Sequence, residues 1–114
     1  GLDNRNFLKT INNLRSSDDV IKFYIRENLK QNSIFLTKKN QYILNGDFFH
    51  QPYEITFRAL SEIIRFIGKK YYPSRGKKLD NIIVAIQKNS FSKLTLGGCV
   101  IEKINQTVII SKES

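Results

Sequence analysis

The chain predicts an α+β fold, a small helical domain with a C-terminal antiparallel β-hairpin packed on the helices, and three observations predict it. Apolar residues recur at helical spacing within Val20–Leu29, Phe57–Ile67 and Leu79–Ile86. Short runs rich in β-branched residues, separated by turn residues, occupy 33–44 and 94–111. The 114 residues are enough to bury one core without metal or disulfide staples, so a single domain over 1–114 accounts for the chain.

Each element has its own justification. Gly1 to Ser17 is rich in Asn with scattered apolar residues, and a start without Met fits a fragment of a longer chain. Asp18 or Asp19 is expected to cap a helix over about 19–29, with Val20, Ile21, Tyr24, Ile25 and Leu29 inward and Lys22, Arg26 and Lys30 outward. Residues 33–37 and 41–44 read as strands around the turn Lys38-Lys39-Asn40. Asn45-Gly46-Asp47 is a turn signal, and Phe48-Phe49 closes the core.

Pro52 fits the first turn of a helix over about 52–67. Its apolar stripe is Phe57, Leu60, Ile63, Ile64 and Ile67, its polar side Arg58, Glu62, Arg65 and Lys69, and Gly68 supplies the left-handed stop. A third helix, about 75–88, buries Leu79, Ile82, Ile83 and Ile86 and ends at Asn89-Ser90. The tail runs from Leu94-Thr95-Leu96 through a bulge or tight bend at Gly97-Gly98 into 99–104, and Asn105-Gln106 turns it into 107–111. With a two-residue turn there, Ile104 faces Thr107, and Cys99, Ile101, Lys103, Val108 and Ile110 share one face of the sheet.

Charge narrows the function. The net charge of +9 is uneven: residues 1–57 carry eight Lys/Arg against six Asp/Glu, residues 58–114 eleven against four. Nucleic acid is the commonest partner of such a field, although an anionic membrane or an acidic protein would also feel it. With one cysteine, no secretory signal and no long apolar run, the chain reads as cytoplasmic, soluble and without a membrane partner. Cys99 reads as a small buried residue, since His50, the one imidazole, lies far away in sequence. No metal site is expected at His50, because no further ligands stand at suitable spacing. No phosphate-cradling loop opens a helix and no nucleophile stands beside a base, so neither catalytic residues nor a cofactor are expected in this chain.

The cations concentrate in Lys69-Lys70-Tyr71-Tyr72-Pro73-Ser74-Arg75-Gly76-Lys77-Lys78, between the second and third helices. Pro73 forbids a continuous helix, and Ser74 can cap the next one. Lys69, Lys70, Arg75, Lys77 and Lys78 can sit on phosphates, while Tyr71 or Tyr72 offers a ring to an unpaired base. The competing reading is a solvated helix connection in a structural or protein-interaction domain, its charge serving solubility. A stand-alone nucleic-acid binder is a third possibility.

From Phe57 onward the chain resembles the C-terminal portion of tRNA(Ile)-lysidine synthases, particularly the alphaproteobacterial kind. The resemblance rests on Arg58-Ala59-Leu60, Ile67-Gly68, Tyr72-Pro73-Ser74-Arg75, Lys78-Leu79, Thr95-Leu96-Gly97-Gly98-Cys99 and Lys112-Glu113. Two departures stand out: the family has a second Pro at the place of Ser74, and usually Arg-Glu at the place of Lys112-Glu113. The resemblance implies a parent enzyme that uses ATP and Mg2+ to attach lysine to the wobble cytidine of an isoleucine tRNA with a CAU anticodon. Its catalytic residues would lie in an ATP-pyrophosphatase domain of the same polypeptide, outside this chain. This chain would be an accessory, tRNA-binding domain that holds the tRNA so that the anticodon reaches that domain.

Overall fold

A computed structural model describes residues 16–69, 77–90 and 92–113. Its first helix, α1, spans Ser17–Asn32. Ser16, in extended backbone, accepts the amide hydrogen of Asp19 on Oγ at 3.1 Å. The cap is therefore Ser16, and not Asp18 or Asp19 as the sequence suggests. Those two acids lie instead in the first turn, where they complement the positive end of the helix dipole. Ile25 and Asn28 are buried, and Asn28 Nδ2 donates to the carbonyl of Phe48 at 3.3 Å. The helix outruns its predicted end by three residues and passes directly into a strand at Ser33, whose backbone is extended and whose hydroxyl donates to the carbonyl of Leu29.

Strands β1 (Ser33–Leu36) and β2 (Gln41–Leu44) pair antiparallel around the predicted turn. The turn is closed by the amides of Lys39 and Asn40, which donate to Leu36 and Thr37, with Asn40 at φ 50°. Asn tolerates that left-handed conformation better than most residues. A 3-10 turn, Gly46–His50, follows, capped by Asn45 Oδ1 accepting from the Phe48 amide at 3.2 Å. It drives Phe48 and Phe49 into the core as an edge-on pair with ring centres 5.1 Å apart.

The central helix, α2, spans Tyr53–Gly68; Pro52 stands just before it and accepts the amides of Ile55 and Thr56. Ile55, Ala59, Leu60, Ile63, Ile64 and Ile67 are buried, whereas Phe57 is only half-buried. Thr56, also fully buried, has its hydroxyl within reach of the carbonyls of Phe48 and Gln51, at 3.4 and 3.3 Å. The third helix, α3, is Lys77–Gln87 and buries the four predicted residues. It stops as expected: Asn89 turns left-handed at φ 56°, its amide donates to Ile86, and the Ser90 amide donates to Ala85.

Strands β3 (Lys93–Leu96), β4 (Cys99–Ile104) and β5 (Thr107–Lys112) complete one antiparallel sheet in the order β1-β2-β5-β4-β3. Gly97 and Gly98 form the two-residue turn of a hairpin, both with positive φ (61° and 82°), a demand that Gly meets without steric cost. Ile104 does face Thr107. The C-terminal hairpin is not a separate unit, however. β5 pairs with β2 from Gln41↔Ser111 to Leu44↔Val108, so the two hairpins merge into one sheet. Its inner face, Leu44, Cys99, Ile101, Val108 and Ile110, packs on the helices as one core. Lys103 shares that face and is accommodated because its ammonium donates to the Ile86 carbonyl at 3.0 Å and to Asn89 Oδ1, at the negative end of α3. Among the described residues, no helix is long and apolar enough to cross a membrane.

Candidate nucleic-acid interface

The basic connection joins α2 to α3, and the end of α2 is pinned by a contact between backbones. A methyl group on Gly68 would lie 2.0 Å from the Gly97 carbonyl oxygen and 3.1 Å from Cys99 Sγ. Gly68 is therefore not the left-handed stop that the sequence suggests. It is the last helical residue, and glycine is required because the β3–β4 turn presses against it. The left-handed residue is Lys69, at φ 56° and ψ 10°, whose amide closes on the Arg65 carbonyl at 2.9 Å. Cys99 completes the joint by donating Sγ–H to the Ile64 carbonyl at 3.2 Å.

Of the seven residues singled out for binding, Lys69, Lys77 and Lys78 are described, and all three are exposed. Lys70, Tyr71, Tyr72 and Arg75, together with Pro73 and Ser74, lie outside the described residues. Lys77 and Lys78 occupy the first turn of α3, where a cation is disfavoured by the helix dipole. An anion near them would be favoured by both the lysines and the dipole.

The sheet shows where this connection emerges. The β1–β2 turn, the β3–β4 turn and the end of β5 all lie at one end of the sheet, through the pairs Leu36↔Gln41, Gln41↔Ser111, Cys99↔Lys112 and Leu96↔Cys99. Gly68 touches the β3–β4 turn, so α2 delivers Lys69 to this end. The far end of α3 is fixed elsewhere: Gln87 donates to Phe49 and the Ile86 carbonyl receives Lys103. Ten residues at about 1.5 Å each set Lys77 roughly 15 Å back along α3 from there.

Sequence reasoning missed an aromatic cluster at the last turn of α2. Phe35 and Tyr42, a cross-strand pair, lie 5.0 Å apart, and Phe66 of α2 meets them at 5.3 and 6.0 Å with its ring nearly perpendicular to both. Phe66 remains 53% exposed. Burial, and secondarily Glu62, pushes the Tyr42 phenol up from its ordinary range, so it stays protonated at neutral pH. Phe66 is offset by one from the buried stripe at Ile63, Ile64 and Ile67, a placement visible in the sequence without its two ring partners.

Burial, offset in part by a hydrogen bond from the Gly68 backbone and reinforced by Glu113, pushes the Cys99 thiol up to about 11. His50 is exposed, with Nδ1 3.6 Å from Asp47 Oδ1. Among the described residues, no three His, Cys, Asp or Glu side chains are grouped to hold a metal ion.

Two curated proteins are similar to this chain. Over 70 residues, 60% of the chain, it is 38% identical to the tRNA(Ile)-lysidine synthase of Wolbachia pipientis wMel. Over the same length it is 34% identical to the tRNA(Ile)-lysidine synthase of Wolbachia sp. subsp. Brugia malayi (strain TRS). The matched stretch is 16% of each relative's length, about a sixth, so the likeness establishes a relation to part of these synthases. No family model and no solved structure matches the chain.

Proposed function

We propose that this chain is a tRNA-binding accessory domain from the C-terminal region of a tRNA(Ile)-lysidine synthase. The observation that carries the proposal is the 38% identity over 70 residues to a protein of that name. The geometry supports it. α2 and α3 bring Lys69, Lys77 and Lys78 to the two ends of a short connection that also contains Lys70, Tyr71, Tyr72 and Arg75. In this reading the cations hold tRNA phosphates and a tyrosine stacks on an unpaired base, while specificity and chemistry reside in the rest of the enzyme. The partners are the isoleucine tRNA with a CAU anticodon and the catalytic domain of the same polypeptide. ATP and Mg2+ would serve that domain. In this chain Gly97-Gly98 turns one strand into another and opens no helix, so no step of the ligation is assigned to its residues.

The test compares two sets of charge reversals after folding is confirmed: Arg75, Lys77 and Lys78 at the connection, against Lys30, Lys88 and Lys93, which are exposed elsewhere. Removing one cation from a phosphate should flatten the dependence of log affinity for tRNA on log salt by roughly 0.7 to 0.9. A selective loss of affinity at the connection is expected. Equal losses in the two variants would mean that charge acts without a site, as in a structural domain that is merely soluble.

A further inference from the structure

The end of the sheet to which α2 delivers Lys69 carries further cations outside the connection. Lys38 and Lys39 form the tip of the β1–β2 turn, held there by the two backbone hydrogen bonds that close it. Lys112 ends β5 at the same edge, and Arg65 and Lys69 stand on the last turn of α2 and just beyond it. The acids among them are Glu62 on α2 and Glu113 after β5, so the described cations outnumber them five to two. From the last turn of α2, Phe66 reaches the β1–β2 hairpin, an exposed aromatic ring supported by Phe35 and Tyr42. Phe66 lies outside the apolar stripe that α2 buries, and about half of its surface stays open to solvent while the rest packs on the two rings.

We infer that Phe66 is a stacking platform for an unpaired base of RNA, with Lys38, Lys39 and Lys69 holding the flanking phosphates. The inference rests on the RNA-binding reading above and extends it from the helix connection to the β1–β2 turn. The two near-perpendicular ring contacts hold Phe66 before RNA arrives, so less side-chain freedom is lost on stacking. A backbone that crosses the platform meets lysines from two separate elements. Selectivity is therefore for single-stranded segments, because a base paired within a duplex has its faces covered by neighbours.

The probes are a single-stranded RNA of about 12 nucleotides, a duplex RNA of the same length and a tRNA carrying the CAU anticodon, each bound to the purified chain. Phe66→Ala should weaken single-strand binding roughly fivefold to 150-fold with an unchanged salt slope, which is the usual effect of losing one stacked base. Phe66→Leu, which keeps apolar packing against Phe35 and Tyr42, should weaken it too while melting like the parent chain. The double variant Lys38→Gln, Lys39→Gln should flatten the single-strand salt slope by about 1.4, two phosphates at about 0.7 each. Duplex binding should be indifferent to Phe66. If Phe66→Leu and the lysine pair bind as the parent does while reversal at Arg75, Lys77 and Lys78 abolishes tRNA binding, the platform is wrong and the accessory-domain reading stands. Single-strand binding that depends on Phe66, from a chain with no affinity for the tRNA, would keep the platform and remove the synthase assignment. No binding to any of the three RNAs would end both.

Discussion

Gly68→Ala should destabilise this protein, although alanine for glycine in a helix ordinarily stabilises. In a helix interior the exchange is worth about 1 kcal/mol in favour of alanine, through backbone entropy and helix propensity. Here the added methyl group would stand 2.0 Å from the Gly97 carbonyl oxygen and 3.0 Å from the Gly97 carbonyl carbon. Both are backbone atoms, so no rotamer change relieves the contact. Restoring an ordinary carbon–oxygen separation near 3.3 Å requires α2 and the β3–β4 turn to part by more than about 1 Å. That movement strains the turn, in which Gly97 and Gly98 hold positive φ, and stretches the Cys99 to Ile64 hydrogen bond. Overpacking of this kind costs about 1–3 kcal/mol, and a clash between two backbones belongs at or above the upper end. After the helix gain is subtracted, a net loss of about 2 kcal/mol remains, equivalent to a melting point lowered by roughly 8 °C for a domain of this size. Urea and thermal unfolding followed by far-ultraviolet circular dichroism measure it directly. A variant as stable as the parent, or more so, would refute the close approach and with it the account of how α2 delivers Lys69 to this end.

Two further outcomes follow from the same joint. Cys99, fully buried with its thiol pushed up from 9.0 to about 11, should resist thiol reagents in the native state and react on unfolding. Because the folded thiol holds its proton more tightly than the unfolded one, it leaves stability unchanged below about pH 9. Between the ordinary value and about 11 it should lower stability at up to about 1.4 kcal/mol per pH unit, a slope that Cys99→Ala should remove. Lys69→Gly should raise the melting point, since the left-handed conformation at φ 56° costs a residue with a Cβ roughly 1–2 kcal/mol and costs glycine almost nothing. The same variant should flatten the tRNA salt slope by less than one unit, so that stability and binding move in opposite directions.

Helices, strands, turns and the concentration of positive charge were legible in the residues alone, because each is a local property. Helical spacing of Leu60, Ile63, Ile64 and Ile67 and of Leu79, Ile82, Ile83 and Ile86 named the buried faces of α2 and α3 correctly. Asn105-Gln106 set the register in which Ile104 meets Thr107, and Cys99, Ile101, Val108 and Ile110 then fell on the inner face. Local signals failed where two local options were equally good. Ser16 and the two aspartates are all competent caps, and only the packing of α1 selects which residue stands just before its first turn. Long-range packing set the pairing of β2 with β5, since their alternation is compatible with an edge strand as well as with a central one. It also fixed the meaning of the glycines: Gly68 has the look of a helix stop and is a contact surface for Gly97, and the stop passes to Lys69. Gly68 and Gly97 thus share one packing role, the joint that brings the end of α2 to the end of the sheet. The neighbourhood of Phe66 was beyond local reading for the same reason: a ring's value to a ligand depends on what supports it, and its supports, Phe35 and Tyr42, lie 31 and 24 residues away in the chain.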